Sequence, residues 1–528
     1  MRISWRALMS SVLAVAVLVV PASTTSQQLE VRPAAVPAIA PDDAALAPYL
    51  TQKLTWGPCA PLATTDQDRA TFGDPRFDCT FLAVPLDYAQ PGGKQAKIAM
   101  MRVKASDQAH RIGTVFTDPG GPGGSGVEFL PSFASGVAST PVAQRFDQVG
   151  FDPRGVGRST PTIDCSTTPE VDAERADLDL DPSAAGVAQT EAENKDFAKR
   201  CADRVGLDVL ANVGTRDVAR DLRIAHRVLG DEKLTYVGYS YGTSIGSEYA
   251  AQVPTDVRAL VLDGAINPAL GPVESRVTQS RGFQRAFDNF AKACAAQAGC
   301  PLGTDPTKAS AMLQTILKPL IAKPVPAGLG RTLGYTDAMT GVFAALYSEG
   351  AWAFLARALS QVTTGNGVNL LRLADSYYER SPDGDYSNLL EAFQVINCVD
   401  SEPVTDPAAA EQISAESLKL APFTDAGYGP SPARELCAFW PVPPTSKSGP
   451  VVAPGLPMTL VVSSTGDPAT PYEDGVALAK QMGARLLTVE NDSHTISLQG
   501  ENACADDVAA RYVVDLQLPA QDTTCKHS

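Results

Sequence analysis

The sequence predicts an α/β fold: a mostly parallel central sheet with an inserted, mainly helical cap domain. Three observations predict it. Short apolar, β-branched segments alternate with helical ones through residues 51–267, and the same rhythm returns in residues 446–528. Residues 268–445 between them read as helices punctuated by Gly and Pro, without alternating strands. One strand, Leu234 to Val237, runs into Gly238-Tyr239-Ser240-Tyr241-Gly242 and then into a helical run, Thr243 to Ala251.

That stretch is a G-x-S-x-G in a strand–turn–helix context. The context holds a serine clear of the sheet as a nucleophile. Gly238 and Gly242 flank the turn because Cβ atoms there would collide as strand and helix close on each other. In a chain with 42 glycines a chance match is the plain alternative. The strand before and the helix after argue against it.

The bulk properties set the frame. At 528 residues the chain is long enough for a large core and a second module. Hydrophobic content of 44% and charged content of 19% are globular values. A net charge of −16 argues against nucleic acid or anionic membrane as a partner. Residues 1–22 read as an export signal. Arg2 and Arg6 precede an apolar run, Ala7 to Val20, which is shorter than the ~20 residues of a spanning helix. No later segment is long and apolar enough for a stable membrane span. Residues 23–50 are rich in Ala, Pro and Val without periodicity, and read as a flexible leader or propeptide. The expected location is secreted, extracellular or at the cell envelope.

Ten cysteines after an export signal read as disulfides. Their spacing favours neighbours pairing in order: Cys59–Cys79, Cys165–Cys201, Cys294–Cys300, Cys398–Cys437 and Cys504–Cys525. Each bridge would add roughly 2–4 kcal/mol by restricting the unfolded chain. There is no C-x-x-C pair and no His–Cys cluster, so neither a metal site nor a cofactor is expected.

Taken in order, Cys79 to Asp87 and Ala96 to Val103 form an antiparallel hairpin around Gln90-Pro91-Gly92-Gly93. Ile112 to Phe116 is a strand that enters Asp118-Pro119-Gly120-Gly121-Pro122-Gly123-Gly124-Ser125-Gly126. This loop lacks the lysine of a phosphate-binding loop and carries two prolines. It suits an oxyanion loop, whose backbone N–H groups approach a developing negative charge unobstructed by side chains. Gly121 or a neighbour is the expected donor. Phe146 to Phe151 is a strand entering Asp152-Pro153-Arg154-Gly155-Val156-Gly157-Arg158-Ser159, a loop expected to be structural rather than catalytic. Thr215 to Leu229 is an amphipathic helix and Val257 to Leu262 a strand. The cap then holds helices at Glu274 to Ala296, Ala309 to Leu320, Tyr335 to Tyr347, Ala351 to Val362 and Asn369 to Glu379. Strands Met458 to Ser463 and Arg485 to Val489 follow, each leading to a helix: Pro471 to Met482 and Ala503 to Leu516.

A serine nucleophile needs a base. Of the four histidines, His110 precedes a strand, His226 lies in a helix and His527 is penultimate. His494 follows the last predicted strand, at the carboxyl edge of a parallel sheet where such sites assemble. Asp467, after the strand Met458 to Ser463, is the expected orienting acid; Asp492 and Asp263 are rivals.

Together the Gly-Gly-Pro-Gly-Gly-Ser-Gly loop, Asp-Pro-Arg-Gly-Val-Gly-Arg-Ser, Gly-Tyr-Ser-Tyr-Gly-Thr and Gly-Asp-Pro-Ala-Thr-Pro resemble the secreted tripeptidyl aminopeptidases of actinobacteria. Those belong with the proline iminopeptidases among α/β-hydrolases. The resemblance spans Trp56 to Cys525 and is weakest in the cap. It implies an α/β-hydrolase fold with Ser240 as nucleophile, Asp467 as acid and His494 as base. It also implies main-chain N–H groups of Gly121 and Tyr241 as the oxyanion hole, and peptide substrates opened through an acyl-enzyme. The match departs at Pro119, where the iminopeptidases place a histidine. The elbow and triad serve ester chemistry equally, so a secreted carboxylesterase or lipase is the alternative. A non-catalytic binding module on the same fold is a third reading, disfavoured by the intact Ser, Asp and His.

An exopeptidase must recognise the substrate's terminal ammonium, and a desolvated cation needs a carboxylate partner. Asn397-Cys398-Val399-Asp400-Ser401-Glu402 in the cap offers Asp400 or Glu402. A solvated acidic loop is the plain reading of the same residues.

Overall fold

The apolar, β-branched segments become the strands of one sheet. In the computed structural model, which describes residues 44–526, these are β1 (Gly57–Pro58), β2 (Phe77–Pro85), β3 (Gln95–Val103), β4 (Gly113–Asp118) and β5 (Phe146–Phe151). β6 (Leu234–Tyr239) and β7 (Val257–Asp263) follow, then a separate small pair, β8 (Val325–Pro326) and β9 (Thr332–Leu333). β10 (Leu460–Ser464), β11 (Arg485–Val489) and β12 (Thr524–Cys525) complete the set. The main sheet has ten strands in the order β1-β2-β3-β5-β4-β6-β7-β10-β11-β12. β1 through β5 pair antiparallel along the β1-β2-β3-β5 edge; every pairing from β5 and β4 onward is parallel. Every residue of β4, β5 and β6 is buried, as central parallel strands covered on both faces require.

Helices cover both faces. Ile245 and Tyr249 of Gly242–Gln252, Leu222 of Thr215–Val228 and Leu478 of Tyr472–Met482 pack on one side. Leu130 and Phe133 of Gly126–Gly136 and Ala509 and Val513 of Ala503–Asp515 pack on the other. The inserted segment has its own core, built from Phe283, Phe287, Phe343, Leu355 and Phe423 among others, with Phe287 and Phe423 stacked at 4.8 Å. The helix expected over Ala309 to Leu320 is divided into Ala309–Leu317 and Pro319–Ala322, because Pro319 has no N–H to continue it.

Three features differ from the sequence reading. The export signal at residues 1–22, most of the leader and His527 lie outside the described residues. Within the span assigned to the leader, Leu46 and Tyr49 are buried in the main core, and the Tyr49 hydroxyl donates to Pro91 O at 2.7 Å. The folded body therefore begins before residue 50. A long helix, Ala184–Arg204, lies where no helix was expected, because its inward stripe includes Gly186, Thr190 and Asn194. The sequence pattern likewise gives no helix at Leu389–Asp400. That segment is a helix whose Val395, Ile396 and Val399 join the core of the sheet rather than that of the insertion.

The disulfides are Cys59–Cys79, Cys165–Cys201, Cys294–Cys300, Cys398–Cys437 and Cys504–Cys525, the expected order. The last holds the tail where β12 extends the sheet beside β11. Arg154 of the Asp152-Pro153-Arg154 loop is a buried clamp. Its guanidinium donates twice to Asp221 (2.6 and 2.8 Å) and to the carbonyls of Leu86, Asn212 and Pro85. Asp152 accepts from Ser125 Oγ, Val127 N and Arg158 N, fixing the helix that follows the glycine loop.

Candidate active site

Four loops at the carboxyl edge of the sheet converge. The first is the turn after β6. Ser240 has φ of +54°, a left-handed conformation that a non-glycine residue adopts only when its surroundings enforce it. A Cβ on Gly238 would fall 2.4 Å from Gly242 O, which is why this turn demands glycine there. The second loop follows β7: Asp263 O accepts the Ser240 N–H at 2.9 Å.

The third loop follows β10 and carries Asp467, fully buried. Its carboxylate accepts from Ala469 N, Thr470 N and Thr470 Oγ1, each at 2.9 Å, so its orientation is fixed. The fourth follows β11 and carries His494. Its Nδ1 lies 2.9 Å from both Asp467 oxygens. Asp467 is thus the carboxylate on His494, and the rivals are otherwise engaged. Asp492 Oδ1 accepts from Asn289 Nδ2 at 2.8 Å. Asp263 Oδ2 accepts from Ile496 N, Ser497 N and Ser497 Oγ. Gly264 lies against His494, since a Cβ there would be 3.1 Å from His494 Cε1. The β7 loop therefore adjoins both Ser240 and His494. Burial pulls the His494 pKa down, but the Asp467 charge and hydrogen bond outweigh it, and the net shift is upward.

The glycine loop closes over the turn. A Cβ on Gly120, at φ +92°, would fall 2.4 Å from Tyr239 O and 2.8 Å from Tyr241 N. Two of the loop's amides are committed: Gly120 N to Asp118 Oδ1 and Gly124 N to Gly120 O. Gly121 lies between them. Tyr241 caps the helix Gly242–Gln252, so its N–H sits at a helix N-terminus, where backbone donors and the dipole favour negative charge.

These four loops lie within a span that matches the α/β-hydrolase fold profile over residues 118–501. The chain belongs to the α/β-hydrolase family. It is 44% identical over 490 residues to serine protease Hip1 of Mycobacterium tuberculosis, covering 90% of this chain and 92% of that protein. It is 42% identical over 482 residues to carboxylesterase B of the same organism, covering 91% of each. It is 31% identical over 461 residues to tripeptidyl aminopeptidase of Streptomyces lividans, covering 85% of this chain and 83% of that protein.

In this α/β-hydrolase the inserted segment supplies site neighbours that sequence reasoning missed. Tyr347 O accepts the His494 N–H at 2.8 Å, and the Tyr347 ring meets the imidazole edge-on at 5.3 Å. Tyr377 packs on Tyr347 at 6.0 Å. Two residues on is Glu379, with φ of +47°. Its carboxylate accepts from Ser387 Oγ. The side chain is exposed. Desolvation by the neighbouring protein pushes its carboxyl up to about 7, with Glu128 and Asp152 adding to the rise and Arg158 opposing it.

Asp400 and Glu402, the residues expected near a substrate amine, have these surroundings. Asp400 ends the helix Leu389–Asp400, and both its oxygens accept from Thr215. Burial pushes its carboxyl up to about 7. Glu402 is exposed beyond the end of that helix. The other described histidines have separate roles: His110 is exposed beside Asp107, and His226 is buried between Tyr249 OH and Asp231 O.

Proposed function

We propose that this α/β-hydrolase is an exported serine aminopeptidase that releases short peptides, tripeptides foremost, from free N-termini through an acyl-enzyme. Ser240 Oγ attacks the scissile carbonyl. His494 Nδ1 faces Asp467, which leaves Nε2 to take the serine proton and later deliver it to the departing amine. The Gly121 and Tyr241 N–H groups receive the oxyanion. Water then attacks the acyl-enzyme by the same route in reverse. The five disulfides support an oxidising compartment, and among the described residues no helix is long and apolar enough to cross a membrane.

The observation that favours an aminopeptidase over an esterase is the acid excess around Arg158, which the exposed Glu379 borders two residues beyond Tyr377, itself packed on Tyr347 beside His494. Glu379, Glu128, Asp152 and Asp68 lie around one guanidinium, Arg158. An acid excess favours a cationic group, and the ammonium of a peptide N-terminus supplies one. Glu379, rather than Asp400 or Glu402, is the proposed partner. The relatives named as serine protease and tripeptidyl aminopeptidase support the same reading. A relative named carboxylesterase B supports the alternative, an esterase on the same triad. Turnover of tripeptide amides with free and N-acetylated termini separates the two. Loss of turnover on acetylation is expected; equal rates would favour the esterase.

A further inference from the structure

The helix Leu389–Asp400 touches both sides of the proposed oxyanion hole. Its first turn lies against the glycine loop: a Cβ on Gly123 would fall 2.4 Å from Leu389 O and 3.1 Å from Phe393 N. The residue before it, Asn388, donates to Gly155 O and Ile163 O and accepts from Gly157 N, while Glu391 accepts from Cys165 N. Its N-terminal end is therefore locked to the loops of the core. Its last residue, Asp400, accepts from Thr215 N at 2.9 Å and from the Thr215 hydroxyl. Thr215 Oγ1 also contacts Tyr241 OH. With Asp400 ionised, Thr215 gives its one hydroxyl hydrogen to it, and the tyrosine donates to the threonine. The chain runs from Tyr241 OH to Thr215 Oγ1 to the Asp400 carboxylate, all in the buried core beside the elbow.

We propose that Asp400 is a positioning residue for the oxyanion hole. Through Thr215 it pins the side chain of Tyr241, the residue whose backbone N–H is one of the two donors. The helix is then a strut: one end sets the glycine loop, the other sets the residue after Ser240. A twelve-residue helix spans about 18 Å and does not stretch, so it fixes the separation of its two contacts. This inference rests on the serine hydrolase mechanism proposed for Ser240.

The test compares Tyr241→Phe, Asp400→Ala and Asp400→Asn with wild type, each enzyme's active sites being counted by fluorophosphonate labelling of Ser240. Removing an oxyanion donor outright costs about 10²–10³-fold in kcat, and misaimed donors cost less. Tyr241→Phe, which keeps the ring and its packing, should lower kcat about five- to fifty-fold with KM within about twofold. Asp400→Ala should match it, and Asp400→Asn, which still accepts from Thr215, should restore most of the rate. The double variant Tyr241→Phe/Asp400→Ala should be no slower than the slower single, because both break one chain. The Ki of a peptide boronic acid should weaken in step with kcat/KM. Tyr241→Phe with wild-type kcat, a loss confined to KM, or additive losses would each overturn the inference while leaving Ser240 as nucleophile. Absence of labelling in wild type would overturn the hydrolase mechanism and the inference with it.

Discussion

Replacing Glu379 by Gln removes one negative charge at the proposed amine site and keeps the shape of the side chain and its acceptor for Ser387. A hydrogen bond to a charged group contributes roughly 1.5–3 kcal/mol. Glu379 is exposed, which screens the interaction, so the lower end applies. At ~1.4 kcal/mol per factor of ten, the expected loss is about tenfold in kcat/KM for a substrate with a free terminal amine. The assay uses one fluorogenic tripeptide amide in free and N-acetylated forms with both enzymes. The four kcat/KM values form a cycle between the enzyme's charge and the substrate's. The free-to-acetylated ratio should fall about tenfold in Glu379→Gln, while the acetylated substrate is handled alike by both enzymes. The sign of the pH effect follows from the same group. Only the carboxylate pairs with ammonium, and desolvation lifts its pKa to about 7. KM for free-amine substrates should therefore rise as pH falls through that region. An identical ratio in the two enzymes would refute the assignment of Glu379.

Ser240→Ala should lose hydrolysis by several orders of magnitude and still fold, as circular dichroism and an unchanged unfolding transition would register, because the turn is held by backbone contacts. In Asp467→Asn, kcat should fall on the order of 10⁴-fold as the imidazole loses its orienting acceptor. The acid limb of its pH profile should move to lower pH, because Asp467 is what raises the His494 pKa; a kcat/KM profile measured from pH 4 to 8 reads both. Gly120→Ala should abolish labelling of Ser240 by a fluorophosphonate, since the added methyl would occupy the space of Tyr239 O and Tyr241 N. Asp221→Ala strands the fully buried Arg154 charge and should cost ~3–5 kcal/mol, seen as unfolding at markedly lower denaturant concentration.

What the sequence revealed of this site is what local backbone geometry dictates. The turn around Ser240 and the glycine loop leave glycine signatures. Asp467 and His494 are readable because each closely follows a strand of a parallel sheet. The neighbours from the insertion leave no such trace. Tyr347 reaches His494, and Tyr377 packs on Tyr347, only through the packing of helices far away in sequence. Leu389–Asp400 carries apolar side chains on most faces, so no polar stripe announces a helix. Ala184–Arg204 fails in the opposite way, burying small and polar residues that periodicity does not weigh. The charge of Asp400 is legible in the sequence, but its hydrogen bonds to Thr215 depend on a helix 185 residues away in the chain.

Asp263 shows how the elbow's strain is sustained. A left-handed residue other than glycine costs of order 1–3 kcal/mol and persists only where the surroundings over-determine it. Here the carbonyl of Asp263 takes the Ser240 N–H, and its carboxylate takes three donors from Ile496 and Ser497, just beyond His494. Tyr236 OH adds a bond to Gly242 O at 2.8 Å from below the turn. One residue at the end of β7 therefore ties the serine turn to the loop that carries the histidine. Buried carboxylates are costly unless satisfied, and burial, aided by the Asp467 charge, outweighs the lowering pull of the three donors and leaves this one raised to about 6. Its three donors offset that cost only while the histidine loop is in place. The geometry of Ser240 and the seating of His494 are consequently one cooperative unit, with the carboxylate of Asp263 tying the two turns together and that of Asp467 holding the imidazole.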